Sequence, residues 1–219
     1  MVRLTTIFTA SLLTVLGYSA PTEKSIKDIV TGVYGPLDTW TPVYLIDVYP
    51  NALIDGAPAN SSVILRYDPP ANITTTQRDL VSAYLSARSS SLQARDGTEN
   101  CYNTGNYIFQ TQLFSAENDF CSHAQDHNLD NGGSYWENLS LWFDHTTNSW
   151  VPFTTSQGTT DTVFWYFKVN PGYQFNWNVC FNALWTIIND CRGSNPDSAG
   201  GQIWGYNNGQ VDATIDPWD

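Results

Sequence analysis

A chain of 219 residues with 21 acidic against 9 basic groups, formal net charge −12, repels phosphate backbones and anionic lipid headgroups, which argues against nucleic acid and acidic membrane surfaces as direct partners. No segment holds the roughly 20 consecutive apolar residues that a spanning helix requires, so no membrane-spanning helix is expected and the mature chain is expected to be soluble. The charge is unevenly placed: residues 1–95 balance, and in residues 96–219 only Lys168 and Arg192 stand against fourteen carboxylates.

Taken in chain order, Arg3 precedes a short apolar run over 4–16 and the small residues Gly17 and Ser19. That pattern predicts a signal peptide over 1–19 and a secreted, extracellular protein. All four cysteines, Cys101, Cys121, Cys180 and Cys191, lie far downstream. An even number in an oxidising compartment reads as structural disulfides. Sequons at Asn60, Asn72 and Asn138 are glycosylation sites if the source is a eukaryote.

Residues 20–95 form an N-terminal segment with a short helix-like stretch at 24–33 and extended stretches at 42–48 and 63–67. A helix is expected over 77–87, where Leu80, Val81, Tyr84 and Leu85 fall at helical spacing. The Ser-rich run 86–95 reads as a linker, with a boundary at 93–96. The segment is either retained or a propeptide, and removal would need a protease content with Arg95 alone, because the chain contains no dibasic pair.

Residues 96–219 carry a stronger rhythm. A strand or turn opens at 100–102, and a helix is expected over 109–124. A polar, Gly-rich loop covers 125–134, and strands at 139–143 and 162–169 form an antiparallel ribbon around a turn-prone 145–160. A second helix covers 179–190, and 203–215 is one strand or a hairpin turned at Asn208-Gly209. The expected class is α+β, a βαββαβ split two-layer sandwich with both helices on one face. Following chain direction, the end of the first helix and the start of the second share an edge, which pairs Cys121 with Cys180. Cys101 and Cys191 then meet at the opposite edge.

Four patterns bear on chemistry. Asp126, Asn128, Asp130 and Glu137 stand at positions one, three, five and twelve of a calcium-type loop, with Asn131 in place of the usual glycine. The competing reading is a plain Asn/Gly-rich surface loop. His123 and His127 resemble a zinc half-site, but no HExxH is present and Cys121 is better used in a disulfide. Glu137 or Asp144 with His145 offers a hydrolase only weakly, since there is no nucleophile elbow; no catalytic residue is assigned. Eight of nine tryptophans follow residue 135. Of these Trp136, Trp142, Trp165 and Trp204 are candidate ligand contacts, because indoles stack on sugar rings, although alternating strands also bury aromatics.

The blocks Cys101-Tyr-Asn-Thr-Gly105, Phe120-Cys121 and Cys180-Phe-Asn-Ala-Leu-Trp-Thr-Ile-Ile-Asn-Asp-Cys191-Arg-Gly, followed by Asp197-Ser-Ala-Gly-Gly201 and Trp204, resemble fungal small secreted proteins of the killer-toxin-like and necrosis-inducing effector type. The resemblance spans 97–219. It implies a disulfide-bonded α/β sandwich with no fixed catalytic motif. The expected function is that of an effector or toxin-like protein that binds a host or competitor component, a protein or a cell-wall glycan. A glycan-binding module and a small hydrolase stand as alternatives.

Overall fold

The computed structural model describes residues 26–71, 98–102, 106–192 and 197–217. The expected signal peptide, Asn72, the helix over 77–87 and the boundary at 93–96 lie outside these residues.

Helix α1 (Ile26–Tyr34) and a short 3-10 turn lead into β1 (Thr41–Tyr44) and the single turn α2 (Leu45–Val48). A small hairpin, β2 (Leu53–Ile54) and β3 (Ala57–Pro58), precedes β4 (Ile64–Asp68). After residues 72–97 come β5 (Thr98–Cys101), β6 (Ile108–Phe109) and the long helix α3 (Gln110–Gln125). Strands β7 (Ser134–Leu139), β8 (Leu141–Asp144), β9 (Ser149–Thr154), β10 (Thr160–Asp161) and β11 (Val163–Val169) follow. Helix α4 (Trp177–Asp190), β12 (Asp197–Ser198), β13 (Gly201–Gly205) and β14 (Val211–Pro217) close the chain. Asn176 caps α4 with its side-chain oxygen, which accepts from the backbone N–H groups of Asn178 and Val179.

The protein is α+β, mostly strand, and its disulfides join Cys101 to Cys191 and Cys121 to Cys180. The main sheet has seven antiparallel strands in the order β1-β4-β7-β11-β14-β13-β5. It is wider than a four-stranded split sandwich for two reasons. The last expected strand is a hairpin, β13–β14, turned through Asn207 and Asn208, both in the left-handed conformation that Asn tolerates. On the other side β4 pairs with β7 at Arg66 and Leu139, and β1 pairs with β4, so the N-terminal segment extends the same sheet. The expected turn over 145–160 contains β9, which pairs with β8. Ser140 donates its N–H to Leu65 at 2.9 Å and so ends the β7–β11 ladder, which turns β8 away from the ribbon.

All seven residues of β11 are buried. Val163, Trp165, Phe167 and Val169 point to the face covered by α3 and α4, where Phe120, Cys121, Cys180, Leu184 and Ile187 complete the core. Phe164 and Tyr166 point to the opposite face, where they pack with Trp204, Val30 and Trp40. The α1 segment is therefore the lid of a second core. Leu45, Leu65 and Leu141 form a third, with Ile54 and Trp150 packed against it.

Candidate functional site

Where α3 leans over the junction of β4, β7 and the β8–β9 hairpin, a cleft of about 410 Å³ opens. Trp136, Trp142, Trp150, Tyr49 and Tyr67 line it, and its polar groups come from three directions. Helix α3 supplies Asp119 and His123, β7 supplies Tyr135 and Glu137, and β4 supplies Arg66 and Asp68.

Strand alternation places Tyr135 and Glu137 on the same side of β7. Glu137 is almost wholly buried, and both of its oxygens are engaged: Oε1 lies 3.3 Å from Nδ1 of His123, and Oε2 accepts from the Tyr135 hydroxyl at 2.9 Å. The bond to Glu137 holds the His123 imidazole above its ordinary value, against the opposing effect of burial. Burial lifts the Asp119 carboxyl, while His145 and His123 pull it down; His145 Nε2 lies 3.7 Å from Asp119 Oδ1. Burial also raises the Tyr49 and Tyr135 phenols, with nearby carboxylates adding to the effect. Arg66 Nε donates to Asp68 at 3.0 Å, which sets the guanidinium at the wall. An aromatic-walled recess whose carboxylates and imidazole are held by one another can orient a polyhydroxylated ligand or move protons at one.

The structure separates the tryptophan candidates. Trp136 and Trp142 line the cleft, whereas Trp165 and Trp204 are 0% and 2% exposed and cannot touch a ligand. Trp165 is buried beneath α3 and α4, and Trp204 is buried because the N-terminal segment covers the face that alternation alone would have turned outward. Trp150, Tyr49, Arg66 and Asp68 were not singled out from sequence, and three of these four lie in the segment that could have been a propeptide.

The calcium-type loop is not assembled as a cation sphere. Glu137 spends its carboxylate on His123 and Tyr135, Asp130 Oδ1 accepts from Phe175 N–H at 2.7 Å, and Asn131 Oδ1 accepts from Gly172 N–H. Among the described residues, Asp126, Asp130 and Glu137 do not bring their oxygens within 4.8 Å of one another, and Asn128 is exposed. Those donors therefore do not fit calcium as they stand. His127 stacks on Tyr135 at 4.4 Å rather than joining His123. Asp144 closes a surface turn by accepting from Thr146 N–H and the Thr147 hydroxyl, bonds that lower its carboxyl. His145 faces Asp119 instead.

Of the sequons, Asn60 is exposed, and Asn138 is 0% exposed in the middle of the sheet, which leaves no room for a glycan in the folded chain. Among the described residues no helix is long and apolar enough to cross a membrane. No family model, curated protein or solved structure matches the chain.

Proposed function

We propose that this is a secreted protein of the effector or toxin-like type that acts by binding a host or competitor component, and that the component is a glycan chain held in the aromatic cleft. The observation that carries the reading is the convergence of Trp142, Trp150 and Tyr49 with Asp119, Asp68 and Arg66 around one recess. Indole faces stack on the apolar faces of sugar rings, and carboxylate and guanidinium groups bond their hydroxyls. A second shallow depression lined by Val48, Tyr49, Pro50 and Trp150 shares Tyr49 and Trp150 with the cleft, and these two rings lie 5.1 Å apart. Two disulfides support the extracellular reading. The cysteine blocks support kinship with fungal secreted effectors, and Asn60 is the described asparagine proposed to carry glycan.

The test is binding of the purified chain to insoluble chitin and glucan, with tryptophan fluorescence titration of soluble oligomers. Trp142→Ala is expected to weaken binding by tenfold or more, in line with the roughly 1–3 kcal/mol carried by an aromatic stacking contact. Unchanged affinity in Trp142→Ala and Trp150→Ala alike would remove the cleft from the reading.

A further inference from the structure

We propose that the cleft is also a hydrolytic centre, in which Asp119 and His123 cleave a glycosidic bond of the chain held there and Glu137 acts as a positioning residue. The inference rests on the glycan reading of the same cleft and adds a reaction to it.

Asp119 and His123 stand four residues apart on α3, so both leave the helix on one face, one turn apart. Both line the cleft. Glu137 reaches His123 from the facing strand and meets Nδ1 at 3.3 Å. Its own position is fixed by the Tyr135 hydroxyl at 2.9 Å, and only 4% of its side chain is exposed. Bonding at Nδ1 sets the ring orientation and, among the described residues, leaves Nε2 without a hydrogen-bond partner, in a side chain that is one-third exposed. This is the relation of a proton-transfer imidazole to a buried carboxylate that orients it. Glu137 is poorly placed to do more, because both of its oxygens are already used.

Among the described residues no serine, threonine or cysteine lines the cleft, and in the proposed reaction the attacking group is water, with Asp119 as its base. The Glu137 carboxylate favours the imidazolium of His123, and the other charged groups acting on that ring are Asp119 from its own helix and Arg66 from β4. In the pH interval where Asp119 is ionised and His123 still protonated, the two hold opposite roles. Asp119 takes a proton from water as the water oxygen bonds to the anomeric carbon. The bond from that carbon to the bridging oxygen breaks, its electron pair stays on the departing sugar, and Nε2–H of His123 supplies the proton that oxygen needs. One water is added across the bond, and solvent returns both residues to their starting states. Attack from the side opposite the departing oxygen inverts the anomeric configuration.

The experiment incubates the full chain with each soluble oligomer that binds it and follows chain shortening by mass spectrometry and new reducing ends. Oligomer cleavage is expected, and its rate at saturating oligomer is expected to fall by about 100-fold or more in Asp119→Asn and in His123→Gln. Glu137→Gln is expected to move the alkaline limb of the pH–rate profile to lower pH, because the imidazolium loses its stabilising carboxylate, and a purely structural role would leave that limb in place. Circular dichroism and melting of each variant establish that it is folded. Oligomers that bind but are never shortened overturn the hydrolysis and leave the glycan reading standing. Full turnover in both Asp119→Asn and His123→Gln overturns it too, and failure of every oligomer to bind overturns both.

Discussion

Glu117 sits on α3 with no exposed surface, and neither carboxylate oxygen has a hydrogen-bond partner. Burial alone lifts its carboxyl from 4.5 to about 9, so the folded chain holds this group as the neutral acid. The folded state therefore binds a proton that the unfolded chain has released across that interval, and stability falls as pH rises from about 4.5 to about 9. The slope contributed by one such group is at most about 1.4 kcal/mol per pH unit. Urea midpoints of Glu117→Gln at pH 5, 7 and 9 are expected to vary less than those of the parent, with the variant gaining most at pH 9; parallel curves would contradict the buried neutral acid. Indole position matters at the same scale. Trp165→Ala empties a fully buried site and is expected to cost about 3–5 kcal/mol, whereas Trp142→Ala, at the cleft, is expected to cost affinity more than stability. Sequence supplied both tryptophans as equivalent candidates, because period-two alternation tells which residues share a face and not what covers that face.

The elements most legible in the sequence were those whose burial is one-sided. Helices α3 and α4 present Leu113, Ala116 and Phe120, and Cys180, Leu184 and Ile187, to one core, so helical periodicity marks them within a residue or two. The two disulfides followed from the directions of those helices. Harder to read were the elements fixed by partners far away in sequence: β9 is called into being by β8, and the break at Ser140 depends on a carbonyl of Leu65. The cleft was half legible for the same reason. Glu137 and His123 were noticed separately, as a calcium ligand and a zinc ligand, and only the approach of β7 to α3 makes them a pair. At β13, a Cβ on Gly201 would lie 2.7 Å from Cys191 Sγ and 2.9 Å from the Asn100 carbonyl oxygen. Gly201→Ala is therefore expected to force β13 away from β5 and lower the melting temperature. A melting point equal to the parent's would mean that the strands separate there at no cost.

At the scale of the whole molecule, residues 26–71 contribute two strands to the main sheet, cover Phe164, Tyr166 and Trp204, and supply Tyr49, Arg66, Tyr67 and Asp68 to the cleft. Sequence left open whether this segment is retained, since its contacts are made across the linker. Because every cysteine lies beyond the linker, nothing covalent would hold the two parts together after a cut there. A chain cleaved at an engineered protease site within 88–95 is expected to elute as one species in gel filtration and to separate only in denaturant; free elution of the smaller fragment from a still-folded remainder would show the joint sheet to be dispensable. Among the described residues the sheet ends on β1 and β5, and the two margins carry different chemistry. The β5 margin is anchored by the Cys101–Cys191 bridge, while the β1 margin carries Pro42, a residue with no N–H to offer a newcomer. Pro42→Thr would restore a backbone donor to that outermost strand and is expected to ease edge-to-edge pairing between copies of the chain.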